Sequence, residues 1–219
     1  MTAEHGPDDL LCLVADRNAE AALQGVLSRC ESLQIRALTS TIRTHPERDP
    51  GCYLRGHEFL RFHGKGFLHA LVMFDREGCG NEAQSREELE REVEDRLQSD
   101  GWGDRARAVV IDPELEAWVW SDSPQVEEAL GWVGRARTLR SWLIERGLLA
   151  EAATKPLRPK EAVEEALRLV RKPRSSAIYR ELAEGVSLWR CRDRAFAKLR
   201  LTLQGWFGRE NSHEHKDLP

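Results

Sequence analysis

The sequence predicts an open, mostly parallel α/β sheet with helices on both faces, followed by an all-helical C-terminal extension. The first observation is a set of three apolar runs without polar alternation, at residues 10–15, 69–74 and 108–111. Such runs have the character of strands buried on both faces. The second is the helical periodicity between them, over connections long enough to return each strand parallel to the last. The third is a change of texture after Ala150, where Pro156, Pro159 and Pro173 punctuate helical segments. The 219-residue chain therefore reads as an α/β domain over 1–150, a basic helical extension over 151–208 packed on it, and a tail over 209–219 expected to be disordered.

The elements follow in order. After the first strand, Arg17-Asn18-Ala19-Glu20 leads into a stretch with Ala22, Leu23, Val26 and Leu27 on one face, which predicts an amphipathic helix. A second strand is expected over residues 33–42, with Ile35-Arg36-Ala37-Leu38 as its apolar part. The Pro and Gly content of residues 44–51 predicts a loop, and a short helix is expected over 53–62. Gly64-Lys65-Gly66 then turns into the central strand. Residues 87–97 give the clearest helix: Leu89, Val93 and Leu97 form one stripe, with Glu87/Arg91 and Glu92/Arg96 as i,i+4 pairs on the wet side. Beyond Ala150, three helices are expected around Val163/Ala166/Leu167/Val170, Ile178/Tyr179/Leu182 and Phe196/Leu199/Leu203/Phe207.

Bulk properties narrow the function classes. The five cysteines form no C-x-x-C pair and are odd in number, which argues against a zinc knuckle and a disulfide framework. No apolar stretch approaches the roughly 20 residues that span a bilayer. Residues 1–9 are acidic and polar, unlike a secretory signal, so a cytoplasmic protein with no membrane partner is expected. Neither G-x-x-x-x-G-K-[ST] nor G-x-G-x-x-G occurs, so nothing points to an NTP or dinucleotide site. The net charge of −4 hides an asymmetry: from Lys155 onwards fifteen Lys/Arg face nine Asp/Glu, a balance of +6, which leaves −10 on residues 1–154. An acidic sheet beside a basic extension suits a metal-dependent nucleic-acid enzyme, in which carboxylates hold the ion and cations meet phosphates. Solvated helical faces account for the same charges without any ligand.

Each apolar run ends on acids: Asp16 after the first, Asp75 and Glu77 after the second, Asp112, Glu114 and Glu116 after the third. Ligands of open parallel sheets lie outside the carboxyl ends of the strands. Carboxylates that converge there repel one another unless a cation lies between them, and a hard divalent ion, Mg²⁺ first, is the simplest such cation. Any single acid is equally accounted for as a strand end or a helix cap; it is their common position that points to a site. Gly78 and Gly80 permit the tight turn that lets Asp75 and Glu77 reach one ion, whereas Arg76 is expected in a salt bridge at the sheet edge. His57, His63 and the His213-Glu214-His215 tail carry no catalytic spacing. Trp118, Trp120 and Trp132 are expected in packing roles; Trp189 and Trp206, among Arg190, Arg192, Arg194 and Arg200, have the chemistry to stack on nucleic acid, with packing in the helical cap as the favoured alternative.

An acid after the first strand and an acid-x-acid pair after a central strand are the arrangement of the Toprim fold. The segments in question are Leu13-Val14-Ala15-Asp16 with Glu20, Val72-Met73-Phe74-Asp75-Arg76-Glu77-Gly78, Pro113-Glu114-Leu115-Glu116-Ala117-Trp118, and residues 172–206. Through them the chain resembles the Toprim-like family of unknown function allied to nucleases of the overcoming-lysogenization-defect type. It is also similar to the Toprim-like component of methylation-associated anti-phage systems. The resemblance implies Asp75 and Glu77 as ligands of Mg²⁺, or of Mn²⁺ in its place, Glu116 as a further acid of the metal site, and Asp16 or Glu20 as the base or second-ion ligand. It implies a nuclease or nucleic-acid-processing effector of bacterial defence, with other defence-system proteins as partners; the basic extension separately offers Arg190, Arg192, Arg194 and Arg200 to nucleic acid. One departure stands out: the glutamate usual at the end of the first strand falls on Ala15. A catalytically degenerate binding or assembly subunit is therefore the alternative.

Overall fold

The computed structural model describes residues 6–121 and 123–209. Four parallel strands, β1 (Asp8–Val14), β2 (Ser40–Thr44), β3 (Phe67–Asp75) and β4 (Ala106–Ile111), form one sheet in the order β2-β1-β3-β4. The register pairs Val14 with both Thr44 and Met73, and Asp75 with Ile111, so the carboxyl ends of the strands lie level. The chain leaves β1 in one direction and β3 in the other, which puts the topological switch point between them.

Strand side chains alternate between two buried faces, as the apolar runs predict. Leu10, Cys12, Val14, Leu71, Met73, Val109 and Ile111 face one cluster; Leu11, Leu13, Ala70, Val72, Phe74, Ala108 and Val110 face the other. Two helices, α3 (Arg48–Leu60) and α4 (Arg86–Leu97), cover the second face with Tyr53, Leu60, Leu89, Val93 and Leu97. The first face is covered by α1 (Arg17–Leu27), the short α2 (Cys30–Leu33), α5 (Pro124–Ala129), α6 (Leu139–Glu145), α7 (Pro159–Val170), α8 (Ser176–Gly185) and α9 (Arg194–Phe207). The helices after Ala150 share one apolar cluster with β1, β3 and β4. Gly25 lets α8 approach α1 closely, because a Cβ there would stand 2.8 Å from that of Ala183.

Three local expectations need correction. The second strand is Ser40–Thr44 rather than residues 33–42: Leu33 ends α2, and Ile35 is buried in an isolated bridge to Gly208. The apolar residues there anchor a crossover beneath α9, while β2, an edge strand of sequence Ser-Thr-Ile-Arg-Thr, carries almost no apolar signal. The loop over 44–51 is shorter than expected, since α3 starts at Arg48; Pro50 is tolerated in the first turn, where no helical N–H is required. On α4 the Glu92–Arg96 pair forms, but Glu87 pairs with Arg86 instead of Arg91. The three helices expected after Ala150 form at the expected positions, and residues 210–219 lie outside the described residues.

The outer edge of β4 is closed by side chains. The amides of Ala108 and Val110 donate to Glu94 and Glu90 at 3.0 Å each, and Lys198 of α9 pairs with both carboxylates. Free edge amides invite pairing with another strand, and here two glutamates take the place of that strand.

Candidate active site

All four strands deliver an acid to the same end of the sheet. Asp16 follows β1, Asp49 lies in the first turn of α3 after β2, Asp75 ends β3 with Glu77 just beyond, and Glu114 and Glu116 follow β4. These six carboxylates line one cleft of about 440 Å³ at the switch point. Arg48, Arg158, Lys160 and Arg174 line it too, together with Glu161 and Glu164. Arg158 pairs with Glu161 and Arg174 with Glu116 and Glu164, which leaves Arg48 and Lys160 as the lining cations without an ion pair among the described residues.

Asp75 is the acid whose protonation the cleft perturbs most. Burial holds its carboxyl well above the usual carboxylate range, and repulsion from Asp49, Glu116 and Glu114 adds to the effect against a partial offset from the Leu115 amide. Asp75 has no ion-pair partner among the described residues. Its backbone N–H donates to Asp49 Oδ1 at 2.8 Å, which fixes the two acids relative to each other. Burial also raises Asp49, Asp16 repels it, and the Asp75 amide and Lys160 oppose the shift. Glu114 is raised by burial and by Glu116 and Glu77, although it accepts the Lys160 amide at 2.8 Å.

The loop that carries Glu77 is tied down from several sides. Glu77 N donates to Pro113 O at 2.9 Å. Arg76 pairs with Asp112 at 3.0 Å and donates to the carbonyls of Glu82 and Gln84, which is the structural role expected of it. Glu82 accepts from the amides of Gly78 and Gly80, at φ of 87° and 89°, where the left-handed region suits glycine. Asn81 and Gln84 reach the Tyr53–Glu92 pair on α3 and α4. Glu82→Ala is accordingly expected to speed hydrogen exchange of the Gly78 and Gly80 amides; unchanged protection would show that the turn is held by other means.

The acids named from the sequence meet different fates. Asp75, Glu77, Asp16 and Glu116 all line the cleft. Asp16 Oδ1 is committed as the N-cap of α1, accepting from Asn18 N and Ala19 N at 2.9 Å each. Glu116, 2 % exposed, is held by Arg174 and by the hydroxyl of Tyr179. Burial and the Glu116 charge push the Tyr179 phenol up, so it remains a donor to that carboxylate. Glu20 is not part of the cleft lining and accepts from Gln24 one turn along α1. Arg190, Arg192, Arg194 and Arg200 also lie outside the lining. Glu114, an acid after the third apolar run, lines the cleft as that position predicts, whereas Asp49, Arg48 and Lys160 are not singled out by the sequence. Pro50 in a first helical turn is the available signal for Asp49; nothing local announces the other two.

Among the described residues, no three Asp, Glu, His or Cys side chains stand close enough together to enclose an ion as they are. The donor chemistry nevertheless suits a hard divalent cation. Carboxylates predominate among the oxygen donors of the cleft, and a buried acid crowded by like charges gains from a cation. Mg²⁺ takes one or two carboxylates and completes its shell with water and phosphate. The fold and the cleft thus define a parallel α/β protein with a carboxylate-rich site at its switch point that also presents Arg48 and Lys160. No protein-family model, no curated protein and no solved structure matches the chain.

Proposed function

We propose that the cleft binds Mg²⁺, or Mn²⁺ in its place, and that the protein is a Toprim-like phosphodiesterase acting on nucleic acid. In this reading it is a cytoplasmic effector of bacterial anti-phage defence that works beside other proteins of its system. The observation that carries the catalytic part is the Asp75–Asp49 pair, two carboxylates raised first by burial and then by neighbouring acids, Asp49 acting on Asp75 and Asp16 on Asp49, with Lys160 and Arg48 lining the same cleft. Asp75 and Glu77 would hold the ion, with Asp49 supporting Asp75. The bound ion would neutralise charge on the phosphoryl oxygens and lower the pKa of an attacking water.

The chain's own residues do the rest. Lys160 and Arg48, in no ion pair among the described residues, give the phosphodiester its cationic partners. Asp16 uses one oxygen as a helix cap and keeps Oδ2 to take the proton of the attacking water. The water oxygen then bonds to phosphorus as the bond to the leaving oxygen breaks. Cleavage of a fluorescent oligonucleotide with Mg²⁺, and its arrest by chelator and by Asp75→Asn, tests the reading; cleavage indifferent to both overturns it.

A second reading rests on Ala15 and Glu116. Ala15 is 5 % exposed on the cleft wall where the resemblance places a glutamate, and Glu116 is engaged by Arg174 and Tyr179. Such a site suits a degenerate module that binds or assembles without cutting. Ala15→Glu discriminates the two: Mg²⁺-dependent cleavage that appears only in this variant supports the module. Wild-type cleavage that Asp16→Ala stops supports the enzyme, with Asp16 as its base.

A further inference from the structure

We propose that Trp189, with Arg190, Arg192, Arg194 and Arg200, forms a binding surface for single-stranded nucleic acid beside the cleft. The proposal rests on the nucleic-acid reading above and adds the form of the substrate and its route. Trp189 departs from its expected packing role: its side chain is 55 % exposed, whereas Trp102, Trp120 and Trp132 are buried and Trp118, Trp142 and Trp206 are half-buried against other aromatic rings. The Arg200 guanidinium lies 5.1 Å from the centroid of the Trp189 ring, which steadies the indole at the surface.

Arg190, Arg192 and Arg194 are exposed. None of the four arginines is in an ion pair among the described residues, although Lys155, Arg174 and Lys198 of the same extension all are. The acid nearest in sequence, Asp193, is already spent: it caps α9, accepts from Trp118 Nε1 and pairs with Lys155. Glu87, which lies within electrostatic reach of Arg194, is paired with Arg86. The guanidinium groups therefore present uncompensated positive charge.

Position ties this surface to the cleft. Trp118 closes the same short turn (Leu115–Trp118) that places Glu116 in the cleft wall, and its bond to Asp193 fixes the start of α9 at Arg194. A chain of phosphates held along the arginines would thus run past the acidic site. An exposed indole beside cations is chemistry for unstacked bases, whose faces are open in a single strand and hidden in a duplex. DNA and RNA share that chemistry.

Anisotropy of labelled oligothymidylate and oligouridylate, each about 16 nucleotides long, tests the proposal on the full chain in chelator, where no cleavage intervenes. Wild type is expected to bind either strand more tightly than the matching duplex. Trp189→Ala should weaken binding roughly tenfold, and Trp189→Phe should restore most of it. Arg190→Ala/Arg192→Ala/Arg194→Ala should lower the slope of log affinity against log salt by about 0.7 for each phosphate that the variant no longer neutralises. Preference for one strand names the nucleic acid. Affinities that ignore these substitutions, or absence of binding at low salt, overturn the proposal. Trp189-dependent binding by a chain that cleaves nothing with Mg²⁺ would sink the cleavage reading and leave the surface standing; Mg²⁺-dependent cleavage by a chain whose binding ignores all these residues would do the reverse.

Discussion

Asp75→Asn is expected to abolish Mg²⁺-dependent cleavage, by on the order of a hundredfold or more, while raising the melting temperature of the metal-free protein. Both effects come from one carboxylate. Burial, and then repulsion from Asp49, hold the Asp75 pKa well above its ordinary value in the folded chain. An unfolded Asp releases its proton near pH 4, so between that pH and the folded pKa the native state binds more protons than the unfolded state. Stability is therefore fully present in acid and falls as pH rises through that window. Asparagine has the shape without the charge and removes this loss. The gain should appear at neutral pH and vanish below about pH 4, and about 1 kcal/mol corresponds to roughly 2–4 °C in a chain of this size. Thermal denaturation at both pH values checks it. A melting temperature lowered at neutral pH would show that the Asp75 charge is compensated and that the cleft is not poised for a cation.

Gly51→Ala should destabilise by about 2–3 kcal/mol, or roughly 5–10 °C in melting temperature. A Cβ at Gly51 would collide with the His45 ring. That ring cannot move away freely. His45 N donates to Val14 O at 2.9 Å, its Nδ1 accepts the Glu47 amide at 3.1 Å, and Phe59 lies 5.5 Å away centroid to centroid. Gly51 thus seats the first turn of α3, the turn that presents Asp49 to Asp75. Adding His45→Ala should recover part of the loss, because it opens the space the methyl needs. An unchanged melting temperature in Gly51→Ala alone would mean that α3 is not seated this way.

Legibility in the sequence follows burial. β1, β3 and β4 are apolar on both faces, and α4 has a clean Leu89/Val93/Leu97 stripe, so their positions and type are readable. β2 escapes because an edge strand needs little apolar character, whereas Ile35 nearby is buried for a different reason, beneath α9. At the site, Asp16, Asp75, Glu77, Glu114 and Glu116 are visible because acids after apolar runs stand out. Asp49 is hidden in a segment whose Pro and Gly read as loop. Lys160 and Arg48 come together with the acids only through tertiary packing. The same limit applies to charge: a count shows a basic extension, but not that Lys198 and Arg174 are spent on Glu90, Glu94 and Glu116.

The acidic floor of the cleft is expected to receive a divalent cation through Asp75. Calorimetric titration of Mn²⁺ into metal-free wild type and Asp75→Asn near neutral pH tests it most directly, with the melting temperature followed in parallel. Wild type should bind the ion and gain about 2.7 kcal/mol of stability at a hundredfold excess over Kd, while Asp75→Asn should show neither heat nor stabilisation. Equal binding by both proteins, or binding by neither, would contradict the account.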